Sequence, residues 1–289
     1  MEKIFQGNKI KIIKEKDKSG RRLLKSLILG IFALVWITPF LWMISTSFKR
    51  NMDIFSYPID WIPKNPILDN YHEVWFGRYP FQTFYLNSLF VTGITVIGAV
   101  IISSMAAYAF ARMEFPGRNA IFIMFLATMM IPTQVTLIPR FILFNTLGIL
   151  DSHTSLILPG LFNIFCTFLM RQFYLQVPFA FSESARIDGA GEFRIWFQII
   201  MPLTKPALVT MVVLIFTWTW NDYENPLIFL TSEKLFTIPL GLNKFIDEYG
   251  TQFGPMMAAA ACSLLPMFVI FMFGQKYFVE GVASSGVKG

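Results

Sequence analysis

Residues 84–110 read FYLNSLFVTGITVIGAVIISSMAAYAF, a run without one Asp, Glu, Lys or Arg. A hydrocarbon core about 30 Å thick takes about 20 apolar residues in a helix. Backbone N–H and C=O groups in lipid must be satisfied within the segment, so a run this long reads as a spanning helix. Five further stretches qualify in the same way: Leu27–Phe48, Ala120–Phe144, Thr154–Phe173, Ala207–Leu230 and Met256–Phe278. Together they predict an all-α, polytopic membrane protein with six transmembrane helices. Asn87, Gln134 and Asn163 fall inside these runs and are expected to face other helices rather than lipid.

Composition supports that reading. The 289 residues are 55% hydrophobic and 15% charged, with a mean hydropathy of +0.55. The length alone would suit two soluble domains. Soluble domains, however, carry about 25% charged residues, too many for this chain to match. The same balance excludes intrinsic disorder. Residues 1–25 hold nine basic residues and three acids, so the whole net charge of +6 sits there and the remainder is neutral. Basic residues ahead of a first span mark a cytoplasmic N-terminus. Such a tail lies near anionic lipid and does not call for nucleic acid. Six spans then place both termini inside, with inner segments 1–26, 111–119, 174–206 and 279–289 and outer segments 49–83, 145–153 and 231–255. Arg21-Arg22 resembles a twin-arginine export signal, but the following apolar run is too long and no small-residue cleavage site follows. Pro58, Pro63 and Pro66 predict turns in the first outer loop, with Trp61 and Trp75 resting at the interface. Cys166 and Cys262 lie in apolar runs and read as small buried hydrophobes rather than a disulfide or zinc site.

The longest loop on the inner side, 174–206, carries the most information. Pro178 ends the preceding span. Ser182 suits an N-cap, and Glu183 in the first turn suits the helix dipole. A helix over Glu183–Ile187 is expected, broken by Asp188-Gly189. A second helix starts near Gly191 or Glu192. It puts Phe193, Trp196, Phe197 and Ile200 at i, i+3, i+4 and i+7 on one apolar face, and Pro202 stops it. Two short helices on a glycine turn fit a groove in a partner protein or a lipid interface, and the residues alone leave both open.

Glu183-Ser184-Ala185-Arg186-Ile187-Asp188-Gly189-Ala190, with Pro202 further on, resembles the EAA loop of ABC-importer permeases. That loop typically reads Glu-Ala-Ala-x-x-x-Gly-Ala before an apolar stretch and Leu-Pro. Ser184 and Met201 are the departures. Further matches are Asn70-Tyr71, Asn87-Ser88, Ile131-Pro132, Leu137-Ile138-Pro139-Arg140, Leu147-Gly148 and Leu158-Pro159. Trp220-Asn221-Asp222, Pro239-Leu240-Gly241-Leu242, Gln275-Lys276-Tyr277-Phe278-Val279-Glu280-Gly281 and Gly286-Val287-Lys288-Gly289 complete the set. Nearly the whole chain, apart from the basic tail, resembles the six-span maltose-permease-like subunit of carbohydrate ABC importers.

The resemblance implies a permease domain over 27–278 between two cytoplasmic tails, in a bacterial cell membrane. It implies that Glu183, Ser184, Ala185, Asp188, Gly189 and Ala190 dock into a cleft of a cytoplasmic ABC ATPase dimer. Val287, Lys288 and Gly289 would reach toward the ATPase dimer interface. A second permease would complete a heterodimer, and an extracytoplasmic solute-binding protein, probed by the loop 231–255, would deliver a sugar. No cofactor or metal is implied.

The fifth run carries Trp218, Trp220, Asn221, Asp222, Tyr223 and Glu224. Ionisable residues within a span are costly and point to function. Trp220, Asn221, Asp222 and Glu224 are therefore candidates for the translocation path, against an aromatic belt paired with the partner subunit. Arg140 reads as snorkelling or pairing. The chain has no G-x-x-x-x-G-K-[ST] loop, so ATP hydrolysis must belong to another subunit. A membrane enzyme would use Glu183 and Asp188 as an acid/base pair. The only histidines, His72 and His153, lie in predicted outer segments, and neither H-E-x-x-H nor G-x-S-x-G occurs. The remaining rivals are a permease for a different polar solute and an ion-coupled secondary transporter. The latter finds no inverted-repeat signal here.

Overall fold

The computed structural model describes residues 19–247 and 250–286. These are helical, apart from short connections and a two-residue hairpin that pairs Ile246–Asp247 with Gly250–Thr251. The central element is the unbroken helix Phe81–Arg112. It has no proline, and its buried stripe of Phe84, Ser88, Val91, Thr95, Ala99, Ser103 and Ala107 recurs at three- and four-residue steps. The small residues let the helices Ile164–Gln176 and Lys205–Trp220 approach closely. Lys205–Trp220 packs in turn on the last helix, Phe253–Gly286.

The first helix, Ser19–Ser47, touches the body along Phe253–Gly286. Its apolar residues from Leu23 to Leu41, and Ile44, are exposed, a face for lipid or a second subunit to cover. Its end is tied down by Asn70, whose Nδ2 donates to the carbonyls of Ser47 and Lys49 at 2.8 Å each. The Ser47 carbonyl is one that a helix terminus leaves without an intrahelical partner, and the Lys49 carbonyl belongs to the turn that follows.

Four helices are long and apolar enough to cross a membrane, and up to six when each bent pair counts as one span. Two of the six predicted spans carry a break. The predicted span 120–144 is split into Arg118–Met130 and Thr133–Thr146, bent by 97°. Pro132 has no N–H to continue the ladder and drives Ile131 into an extended conformation (φ −81°, ψ 114°). The predicted span 207–230 is helical over Lys205–Trp220, interrupted at 221–223 and resumed at Glu224–Phe229. Pro226 cannot donate to the carbonyl of Asp222, so the ladder cannot run through.

The fourth run, Thr154–Gln176, pauses at 161–163. Asn163 serves there as an N-cap, accepting the Cys166 N–H at 2.9 Å on Oδ1. Gln134 was expected to face another helix but is exposed on this chain, since it follows the bend. Trp75 was expected at the interface. It stands instead in an aromatic cluster with Phe81 and Tyr85, ring centroids 5.4 and 5.5 Å away. Trp61 is exposed and edges onto Trp42 at 5.4 Å. Cys166 and Cys262 are buried free thiols, as expected.

Candidate functional site

The loop 174–206 is built from two helical pieces on a glycine hinge. The first runs over Ala180–Ile187, three residues earlier than expected. Pro178 starts the turn, its carbonyl accepting from the Phe181 N–H, and Ser182 accordingly lies inside the helix rather than capping it. Ser182 and Ala185 are buried, while Glu183, Ser184, Arg186, Ile187 and Asp188 face outward.

The helix ends in a Schellman motif. Ala190 N–H donates to the Ala185 carbonyl at 2.9 Å and Gly189 N–H to the Arg186 carbonyl at 3.0 Å. Gly189 holds φ at +79°, a conformation costly for any residue with a Cβ. Nothing lies within 4 Å of where that Cβ would sit, so the requirement at this position is conformational.

The second piece starts at Glu192 and passes through a π-helical turn, Ile195–Ile200, before Met201–Leu203. The wider turn corrects the expected apolar face. Ile195, Trp196 and Ile200 are buried, whereas Phe193 and Phe197 point outward. Pro202 is accommodated within the last turn. The stop comes at Thr204, where the chain bends by 86° into Lys205–Trp220.

One residue of the motif and several outside it hold this frame. Arg186 Nε meets Glu192 Oε1 at 2.7 Å, closing the hinge, and Tyr108 donates its hydroxyl to Glu192 Oε2 at 2.6 Å. Arg186 and Tyr108 together hold the Glu192 carboxyl below the usual carboxylate range, and the same contact raises Arg186. Four residues after Tyr108, Arg112 is 3% exposed. Its Nη2 donates to the Tyr174 carbonyl at 2.5 Å and to the Val177 carbonyl. Its guanidinium sits 4.4 Å from the Phe179 ring centre. Sequence reasoning missed Tyr108, Arg112 and Glu192 as parts of this site. A lone arginine closing a long apolar run was the available signal.

The predicted path residues differ in burial. Trp220 is buried, donates its indole N–H to the Ser263 carbonyl at 3.0 Å and stacks on Phe216 at 5.4 Å. It is a wall of the core in this structure. Asn221 and Glu224 are exposed, and Asn221 Nδ2 donates to the Thr217 carbonyl at 2.8 Å. Asp222 Oδ2 accepts from Asn225 Nδ2 at 2.7 Å, and Asn225 Oδ1 accepts from Arg140 Nη2 at 2.9 Å. Arg140 is thus a pairing residue, as its position suggested. Asp151 anchors the start of the loop 231–255. The Thr231 and Ser232 N–H groups donate to its Oδ1 at 2.9 and 2.8 Å, and the Ser232 hydroxyl donates to Oδ2. These bonds, the Ser232 hydroxyl first, hold its carboxyl below the usual range. Val287, Lys288 and Gly289 lie outside the described residues.

The family model described as "Binding-protein-dependent transport system inner membrane component" matches residues 99–284, more than half of the chain and all of the loop 174–206. The chain belongs to that family. It is an ABC-importer permease, a membrane component of a binding-protein-dependent transport system. Full-length relatives agree. The permease is 34% identical over 270 residues to the arabinooligosaccharides transport system permease protein of Bacillus subtilis (strain 168), covering 93% of this chain and 96% of that one. It is 32% identical over 266 residues to the sn-glycerol-3-phosphate transport system permease protein of Pectobacterium atrosepticum, covering 90% and 94%. The permease also superposes, with a TM-score of 0.81 and 27% identity, on a chain of a bacterial ABC transporter involved in import of the acidic polysaccharide alginate. That match covers 91% of this chain and 99% of the other.

Proposed function

We propose that this permease forms, with a second permease, the translocation path of a bacterial importer for a sugar or oligosaccharide. A cytoplasmic ABC ATPase dimer drives it, and an extracytoplasmic binding protein delivers the solute. The observation that carries this reading is the coupling loop. Glu183, Ser184 and Asp188 are presented outward on a helix whose other face, Ser182 and Ala185, is buried. Hydrogen bonds brace the frame, and the contact face is left uncovered by the described residues, as a docking helix requires. Ala185 and Ala190 back that face, and Gly189 sets its exit.

Both termini lie in the cytoplasm in this reading. Val287, Lys288 and Gly289 are assigned a contact with the ATPase interface by the family resemblance alone. Asn221, Asp222 and Glu224 stand at an interruption in a helix. Irregular backbone at membrane depth is tolerated where protein buries it or a water-filled cavity lies beside it, and the second case supports a role for these residues along the path. Trp220 braces that interruption from the core side. Relatives named for oligosaccharide transport support a carbohydrate cargo. A relative named for sn-glycerol-3-phosphate keeps a different polar solute as the second reading.

The test is to purify the tagged chain in mild detergent, identify what accompanies it, and reconstitute the assembly. A second permease and an ATPase should co-purify, and vesicles should take up labelled oligosaccharide only with ATP on the ATPase side and binding protein on the other. Uptake that ignores ATP and collapses with an ion gradient would sink the proposal.

A further inference from the structure

The helix Phe81–Arg112 grips the chain at both ends. At the outer end Asn87 Nδ2 donates to the carbonyls of Lys234 and Phe236, at 2.9 Å each. Ser88 Oγ, buried, accepts the Ile238 N–H at 2.8 Å. The loop after the fifth span is thereby sewn to this helix, and Gly241 lies so close to Phe84 that a Cβ there would stand 2.2 Å from the ring. At the inner end Tyr108 holds Glu192 in the coupling loop, and Arg112 holds the end of the helix before it. Asn87 and Tyr108 are separated by 21 positions of uninterrupted helix, about 32 Å at 1.5 Å per residue, the thickness of the hydrocarbon core. Most neighbouring spans are broken by proline or a polar pause; this one is not.

We propose that Phe81–Arg112 is a rigid strut that passes the state of the outer loop to the coupling loop, with Asn87 and Ser88 as its outer positioning residues and Tyr108 and Arg112 as its inner ones. The proposal rests on the importer reading above. A hydrogen-bonded rod moves as a unit, so a shift of the 234–238 backbone moves Glu192 with it. Cutting either grip leaves both loops in place but uncouples them. Stimulation of the ATPase by the binding protein is then lost while each loop keeps its own contact.

The experiment uses the reconstituted full complex and measures ATP hydrolysis against the concentration of purified binding protein. That protein is loaded with an oligosaccharide that supports uptake in the experiment above. Asn87→Ala should lower the stimulated maximum at least fivefold, keep basal hydrolysis within twofold, and leave the half-stimulating concentration unchanged. Tyr108→Phe keeps the ring and loses the bond to Glu192, and should lower the same maximum. The double variant should lose no more than the worse single one, because both cut one conduit. If Asn87→Ala raises the half-stimulating concentration at an unchanged maximum, the outer grip is only a docking support and the proposal fails. An unchanged stimulation curve in Tyr108→Phe also overturns it, and decides the matter alone if Asn87→Ala does not assemble. Failure of the wild-type complex to assemble would count against the importer reading itself.

Discussion

At Gly189 the constraint is on one pair of dihedral angles. With φ at +79° and open space where a Cβ would go, Gly189→Asn should retain most uptake, since Asn tolerates the left-handed region. Gly189→Val should cut ATP-driven uptake at least tenfold, because a β-branched residue there is a steric outlier. Labelled-sugar uptake by the two variants, at matched membrane levels, checks this, and equal uptake would refute it. Glu192 makes a second prediction. Its carboxyl, held below 4.5 by Arg186 and Tyr108, contributes stability that is fully present above pH 4.5 and lost as pH falls through the lowered value. Both members of the Arg186–Glu192 pair are 39% exposed, so Glu192→Gln should cost about 0.2–1 kcal/mol. The Tm difference from wild type should stay constant between pH 5 and 8 and shrink in stronger acid. A difference that changes near pH 7 would contradict the assignment. Gly189 was legible as a sequence neighbour of Asp188 in a motif. Glu192 was legible only as a helix start, because its partner Tyr108 lies 84 positions away and no local spacing reports such a pair.

Among elements, long uncharged runs read correctly as membrane helices because a single physical demand, internal hydrogen bonding in lipid, acts on every residue of the run. The breaks were not read. Pro132 and Pro226 sit inside apolar stretches where neighbouring protein can tolerate a bend, so composition gave them no weight. The π-turn at Ile195–Ile200 likewise turned a regular i, i+3, i+4, i+7 pattern into two faces. The outer loop was opaque from Thr231 to Phe236 because its order comes from Asp151, 80 residues earlier. Asp151 itself sits at φ +50°, which Asn also accepts. Asp151→Asn should therefore keep the backbone turn. An amide has one acceptor oxygen where the carboxylate has two, so the charge-assisted bond from the Ser232 hydroxyl gives way to a weaker neutral one in which the amide N–H donates to that hydroxyl. Hydrogen exchange at 230–236 should accelerate severalfold while the coupling loop stays protected. Exchange unchanged at Ser232 would show that the loop orders without this anchor.

For the whole molecule, sidedness ties every element to function. Lys and Arg counts over the short loops barely separate the two faces once residues 1–25 are set aside, so the charge argument rests on one tail. The coupling loop gives a second, independent criterion, and the structure supplies reporters on both sides. Ile187, 86% exposed, stands beside Asp188 on the coupling helix, and Tyr57, 96% exposed, lies in the first outer loop. The two native cysteines are buried, so single introduced cysteines can be read without removing them. In intact cells a membrane-impermeant maleimide should label Tyr57→Cys and not Ile187→Cys, and opening the cells should expose the latter. Adding the ATPase subunit should then slow labelling of Ile187→Cys at least tenfold and leave Tyr57→Cys unaffected. Ile187→Cys reacting in intact cells would reverse the topology, and with it the cytoplasmic placement of both tails. Labelling of Ile187→Cys that ignores the ATPase would keep the topology but remove the docking role from Glu183, Ser184 and Asp188.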